Sequence, residues 1–333
     1  MELRRLLFIA RLVRLKSFIR LIKFSVKKYL MGKDIPGVAI FALTYNCQCC
    51  CAHCSAGEYK TSSPELDLGE WRSVIDEVFA LGVPRIHISG GEPSLKAGFD
   101  DIVRYASGKG FLVFFETNAY QLCEVSIKRL KDAGVSSIDI SLDSHCADIH
   151  DNLRGLKKSF ERAVSAVGIC RKLKVENMIS TYATRENIAS GGLRKLIMLA
   201  KELGAGAIRI LPPQPSGRWL GRTEMLLSEK DRSSLQSQFP DYAVFDRTKL
   251  PVCPIKKRYS VFVSSDGEIQ PCPHLPFSFG NVRAGNVAAA LGRMAAHPMF
   301  EGNSICYICD QEFNCRFISP LLKKGGGLPV KVD

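Results

Sequence analysis

Between residues 38 and 213 the chain switches repeatedly between two hydrophobic periods. Apolar runs of the strand type are VAIFALT (38–44), RIHIS (85–89), FLVFFET (111–117), SSIDISLD (136–143), VENMISTYAT (175–184) and AIRILPP (207–213). Between them, WRSVIDEVFALG (71–82), FDDIVRYASGKG (99–110), VSIKRLKDAG (125–134), FERAVSAVGICRKL (160–173) and LRKLIMLAKELG (193–204) have apolar positions every three or four residues. The pattern predicts strands alternating with helices, hence an α/β fold on a parallel sheet, open or curled into part of a barrel. LPPQPSGRWLGR, a Pro/Gly loop from Leu211, predicts a boundary. Beyond it, KRYSVFVSSDGEIQPCPH reads as a hairpin about Asp266-Gly267, and KKGGGLPVKVD as a frayed tail. The expected division is 1–34, 35–222, 223–320 and a flexible 321–333.

The first 33 residues follow another pattern. From Leu15 on, Lys16, Arg20, Lys23 and Lys27 share one helical face, while Leu15, Phe18, Ile19, Ile22, Val26 and Tyr29 cover the other. The longest uncharged run in the first half, Leu6–Ala10, is too short for a signal-peptide core or a bilayer span. An N-terminal basic amphipathic helix is therefore expected. It lies on an anionic membrane surface, or it packs its apolar face on the body. A cytoplasmic enzyme, peripheral at the inner face of a membrane, follows from the first reading.

At 333 residues and 46% hydrophobic content the chain fits one large domain with an appendage, or two modest ones, and is not of the disordered class. Its net charge of +13 sits mostly in the N-terminal arm, where ten Lys/Arg meet one acid. A nucleic-acid-binding body would spread that charge, so nucleic acid is not an expected partner.

The thirteen cysteines change the picture most. Five fall between Cys47 and Cys54 and five more are Cys253, Cys272, Cys306, Cys309 and Cys315. Such clusters without a secretory signal read as metal or redox sites in a reducing compartment. Cys123, Cys146 and Cys170 are expected to pack. The first cluster follows the first strand directly, where α/β barrels gather ligands. Cys47, Cys51 and Cys54 form C-x3-C-x2-C, which can hold three corners of an iron–sulfur cubane and leave one iron open. The alternative, zinc, prefers C-x2-C pairs and four ligands. His53 is expected to pack beside the cluster, and Cys49 and Cys50 have no assigned role.

This loop, placed after the first strand of a six-fold alternation, resembles the radical S-adenosylmethionine (SAM) superfamily. The likeness continues at successive strand ends: GGEP (Gly90–Pro93), ETN (Glu116–Asn118), SLD (Ser141–Asp143) and then HDNLRG (His150–Gly155). It implies a partial (β/α)6 barrel. It also implies SAM-binding residues Gly90, Gly91, Glu92, Pro93, Asn118, Ser141, Asp143 and Arg154. Ser141 would meet the ribose or carboxylate, and Arg154 the carboxylate, which its forked guanidinium suits. The implied chemistry is reductive cleavage of SAM at a [4Fe-4S] cluster, fed by an external one-electron reductant. The resulting 5′-deoxyadenosyl radical takes hydrogen from the substrate.

The later cysteines resemble the SPASM or twitch extensions that hold auxiliary clusters. Ser319 stands where the full SPASM pattern continues with cysteine. The resemblance therefore implies one auxiliary [4Fe-4S] cluster on Cys253, Cys272, Cys306 and Cys309, with Cys315 as a substitute ligand. A zinc knuckle uses the same C-x2-C chemistry. Pro273 stands where some relatives have Asp, leaving His274 as the nearest acid–base group. The expected substrate is a peptide or small metabolite, and a peptide is expected to need a separate escort. Two alternatives are a membrane-associated lipid substrate and a non-catalytic metal-binding protein on the same scaffold. No catalytic residue beyond the cofactor sites is marked, because no motif labels the barrel interior.

Overall fold

Six strands appear where the alternation predicts them, joined by helices that pack on one side of the sheet. In chain order the elements are α1 Glu2–Leu12, α2 Leu15–Ser25, β1 Val38–Ala42, α3 Leu68–Leu81, β2 Arg85–Ser89, α4 Phe99–Gly108, β3 Leu112–Thr117, α5 Glu124–Ala133, β4 Ser137–Ser141, α6 Ala147–Arg154, α7 Ser159–Leu173, β5 Asn177–Tyr182, α8 Arg185–Ala189, α9 Gly192–Leu203 and β6 Ala207–Leu211. The structure is a computed structural model. It describes residues 2–332 apart from 58, 60, 62, 240, 248–252, 257, 302–305 and 325–327. Helix starts follow local chemistry. Asp67 caps α3 by accepting from the Glu70 amide, and Glu70 returns the bond to the Asp67 amide.

Three further strands complete the sheet: β7 Val244–Asp246, β8 Ser260–Val263 and β9 Ile269–Gln270. The order is β7-β6-β5-β4-β3-β2-β1-β8-β9. All neighbours are parallel except β8 and β9. The predicted hairpin thus joins the barrel sheet, with β8 in register on β1 from Val38↔Ser260 to Phe41↔Val263. The division expected at residue 222 runs through a continuous sheet. The tail expected to fray is partly anchored: β11 Val330–Lys331 pairs with β10 Phe277–Ser278.

Strand alternation sends one set of side chains to each face. Ile86, Ile88, Val113, Phe115, Ile138, Ile140, Ile179, Ile208 and Ile210 point at the helices and form the main core. His87, Glu116, Asp139, Ser180 and Arg209 point into the concave side. This sheet is a half-barrel with a greasy outside and a charged inside.

The N-terminal arm is two helices rather than one. Phe8 and Leu12 of α1 pack among Leu112, Phe114, Met178, Ala207 and Ala243, at the strand N-termini, and close the bottom of the half-barrel. The packing alternative expected an apolar face turned inward on α2. Instead Arg20 is buried, donates to the carbonyls of Val83 and Phe79, and lies over the Phe79 and Phe111 rings. No helix among the described residues is long and apolar enough to cross a membrane.

Candidate functional site

Cys47, Cys51 and Cys54 line a polar cavity of ≈ 830 Å³, its open mouth included, at the C-terminal ends of the strands. Their loop is held from two sides. On one, the amides of Cys50 and Ala52 donate to the Arg154 and Leu153 carbonyls at 2.9 and 3.0 Å. Here α6 ends on Gly155 at φ +62°, and an added Cβ would lie 2.9 Å from the Cys50 carbonyl oxygen. Only a residue that tolerates a left-handed backbone and has no side chain fits between helix and loop. On the other side, the Arg218 amide donates to the Cys54 carbonyl at 3.0 Å, and Arg218 Nη1 to the Cys51 carbonyl at 2.9 Å. The Pro/Gly loop expected to mark a boundary is therefore a clamp on the cysteine loop.

Gly90 and Gly91 also line the cavity. The Gly91 and Glu92 amides donate to the carbonyls of Thr44 and Asn46, so the end of β2 is fastened to the same loop. Glu92 and Pro93, grouped with the glycines by the motif, are turned out of the cavity and buried. The Glu92 carboxylate accepts from Thr117 Oγ1 (2.9 Å), the Asn118 amide (2.9 Å) and Ser94 Oγ (2.6 Å). The carboxylate ties the end of β2 to the end of β3. Asn118 in turn donates from Nδ2 to Cys47 Sγ at 3.6 Å.

Asp143 and Arg154 meet at the cavity wall, Nη2 to Oδ2 at 2.7 Å. His53 Nε2 lies 3.5 Å from the same carboxylate oxygen. The His150 ring accepts from the Asp143 amide, and burial pulls that imidazole down to about 4. Burial opposes ionisation of Asp143, but Arg154 and His53 outweigh it and hold the carboxyl below its ordinary value. Arg154 Nη1 also reaches Cys51 Sγ at 3.7 Å. The Cys51 thiol falls to about 6. Its largest cause is a hydrogen bond from Cys49, with Arg154 adding to it and burial opposing. Cys49 interacts with both Cys47 and Cys51 and so sits between two of the three predicted ligands.

The donor set fits the implied group. Three thiols converge beside two guanidiniums, which suit an anionic cluster. Asp143 Oδ1 and Arg154 Nε are buried and without a hydrogen-bond partner among the described residues, and Ser141 lines the same cavity. Cys47, Cys51 and Cys54 would hold the cluster. Arg154, Ser141 and the Gly90-Gly91 backbone lie where a small zwitterion would be gripped.

Deeper in the barrel is a charged layer of which only Glu116 fell within a motif. Arg209 on β6 reaches Glu116 on β3 at 2.9 Å and Asp139 on β4 at 3.5 Å, and donates to Ser180 Oγ on β5. His87 Nδ1 lies 3.4 Å from Glu116. The donor atoms of His87, Glu116 and Asp139 fall within 4.8 Å of one another, but the Arg209 guanidinium already balances them. Burial lifts Asp139 to about 6, with Arg209 opposing. Burial also opposes ionisation of Glu116, but Arg209 and His87 overcome it and hold that carboxyl well below its ordinary value. The signal was present in the sequence: four titratable groups occupy alternate positions of strands whose other face is Ile, Val and Phe. His53, Tyr182 and Trp219 form an aromatic wall at the mouth.

The late cysteines also gather. Cys253 contacts Cys306, Cys306 contacts Cys309, and Cys272 lies within electrostatic range of Cys253 and Cys306. The Cys306 contact is the largest influence raising the Cys253 thiol, and burial pushes Cys272 to about 12. A metal bound by these thiols would take them as thiolates and release their protons. Gln214, just past β6, donates to Cys306 Sγ at 3.8 Å. His274 pairs with Ser216 at 3.0 Å, and burial pulls it down to about 4. Cys315 is exposed on the outer side. Of the three scattered cysteines only Cys170 is in the core; Cys123 and Cys146 sit at the N-caps of α5 and α6.

Comparison with known proteins gives the same picture. The family model described as the radical SAM superfamily matches residues 41–188. The AdoMet-dependent heme synthase of Methanosarcina barkeri is 29% identical over 282 residues, 75% of this chain and 80% of that protein. The mycofactocin maturase MftC of Mycolicibacterium smegmatis is 32% identical over 194 residues, 58% of this chain and 48% of that one. The crystal structure of Streptococcus suis SuiB bound to its precursor peptide SuiA shares the fold, with a TM-score of 0.65 at 13% identity, over 84% of this chain and 69% of that one. Residues 41–188, with their cysteine loop at the mouth of a half-barrel of parallel strands, form a radical SAM domain, and enzymes of that superfamily use a [4Fe-4S] cluster and SAM.

Proposed function

We propose that this radical SAM enzyme takes a hydrogen atom from a peptide, assisted by an auxiliary [4Fe-4S] cluster on Cys253, Cys272, Cys306 and Cys309 within residues 223–320. The observation that carries the reading is the gathering of four thiols from three separate stretches of chain, next to the exit of β6. Relatives named as a PqqA peptide cyclase and a mycofactocin maturase support the substrate class. When bound at Cys47, Cys51 and Cys54, the first cluster supplies the electron that cleaves SAM. The chain's own contribution is to orient and to exclude water. Arg154 and Ser141 face the methionine end, Asn118 holds Cys47, and the aromatic wall shields the mouth. Arg209, Glu116 and Asp139 present a balanced set of charges to the substrate.

The test has two parts. Iron, sulfide and zinc are measured after anaerobic reconstitution of wild type and of a Cys253→Ala/Cys306→Ala variant. About eight irons falling to about four supports the auxiliary cluster; four in both, with one zinc lost, replaces it by a zinc knuckle. Low-mass host extract is then added with SAM and a reductant, and 5′-deoxyadenosine release is followed. Stimulation abolished by prior exhaustive proteolysis supports a peptide; stimulation that survives points to a small metabolite instead.

A further inference from the structure

The two N-terminal helices carry an apolar surface that points away from the protein. On α2 the buried positions are Ser17, Arg20 and Phe24, a narrow strip against the body. The opposite face is Leu15, Phe18, Ile19, Ile22 and Val26, exposed by 75, 53, 46, 47 and 39%. It continues through Tyr29, Leu30 and Met31, at 69, 81 and 58%. On α1, Phe8 and Leu12 face inward, while Leu3, Leu6, Leu7 and Ile9 face out. A helix that packs on its own protein turns its apolar stripe to the core; α1 does so only with Phe8 and Leu12 and α2 only with Phe24, and most of their large apolar residues face out. The exposed side chains leave on the order of 1,000 Å² of apolar surface open, where a typical monomer shows a few hundred.

We propose that this face docks on an anionic lipid bilayer, with the apolar stripe in the acyl boundary. Three features choose lipid over protein. The arm has ten basic residues and one acid; with Arg4 and Arg11 paired to Asp241 and Glu176 and Arg20 buried, a basic excess remains that complements phosphate headgroups and would repel a second copy of itself. Lys23 and Lys27 line the groove where α2 meets α3 and α4, beside the exposed stripe, and their long side chains can reach headgroups there. Neither helix is long enough to span, so the pair lies in the interface.

The docking face also has a fixed relation to the active site. Among the described residues the ties from the helices to the body gather at the strand N-termini: Phe8 and Leu12 in the barrel floor, Arg4 on Asp241, Arg11 on Glu176, Arg20 on the Val83 carbonyl, Lys16 on the Gly108 carbonyl. The cysteine loop and the cavity mouth lie at the opposite ends of the strands. The bilayer therefore holds the enzyme by its floor with the mouth toward water. Substrate arrives from the aqueous side, and a lipid drawn directly from that membrane is not what the site receives.

Flotation with phosphatidylcholine/phosphatidylglycerol vesicles tests the docking on the reconstituted protein. Wild type floats with the vesicles. A Phe18→Glu/Ile22→Glu variant, changed only at exposed positions, loses about tenfold or more in partitioning, as does wild type on pure phosphatidylcholine. Flotation unaffected by the double substitution overturns the proposal. So does vesicle-independent self-association that the substitution removes, which would make the face an interface between copies. Orientation is read with acyl-brominated lipid: a Leu30→Trp variant is quenched, whereas native Trp71 and Trp219 are not. Quenching of Trp219, at the cavity mouth, overturns the assigned orientation. Neither readout depends on SAM cleavage, so docking and the proposed function fail separately.

Discussion

Asp139 offers the sharpest check on the charged barrel interior. Its carboxyl is completely buried, accepts from Ser137 Oγ at 2.8 Å, and has Arg209 at 3.5 Å while Glu116 competes for that guanidinium. Burial lifts it from 3.8 to about 6. Because the folded value is above the unfolded one, the stability linked to Asp139 is fully present below the unfolded value. It is lost as pH rises through about 6. A shift of about two units corresponds to about 3 kcal/mol overall, of which about 1 kcal/mol disappears between about pH 5 and about pH 7.5. Asp139→Asn keeps the shape and removes the titration. Urea unfolding under anaerobic conditions should show wild type weakening by about 1 kcal/mol relative to the variant over that interval, and the variant no less stable at the upper end. A gap between the two proteins that is independent of pH would refute the reasoning. It would mean that Arg209 compensates Asp139 as fully as it does Glu116.

The remaining predictions concern the cofactor sites. Glu92→Gln replaces a carboxylate that receives several donors with an amide that opposes one of them; a loss of about 2–4 kcal/mol is expected by denaturant titration, with SAM affinity falling less than stability. Gly155→Ala forces a Cβ toward the Cys50 carbonyl at a left-handed backbone position, costing about 1–3 kcal/mol; iron analysis should show the N-terminal cluster lost first. Cys309→Ala should remove about four irons and Cys315→Ala none, because Cys309 contacts Cys306 whereas Cys315 is exposed.

Much of this was legible because it is local. The strand and helix periods placed the six strands, and the capping chemistry of Asp67 and Glu70 starts α3 as a sequence signature should. The loop Cys47–Cys54 and the short motifs after each strand announced a cofactor site because a parallel sheet brings all strand C-termini to one edge. Helix α6 was missed: eight polar-rich residues have little apolar periodicity, and their helix is held by the cysteine loop and by Asp143.

What the sequence determined by itself was the set of faces: which side chains of each strand travel together, which cysteines are spaced to share a metal, and that α2 has a basic side and an apolar side. Tertiary structure alone decided which face meets which. It put β8 beside β1, brought Cys253, Cys272, Cys306 and Cys309 to one place, set the Glu92 carboxylate as a brace between β2 and β3, and seated Arg20 inward so that the greasy side of α2 looks out. The physical reason is that periodicity fixes the relative direction of side chains within an element. Their partners are chosen by contacts between elements far apart in sequence, where burial, charge pairing and chain closure compete across the whole molecule.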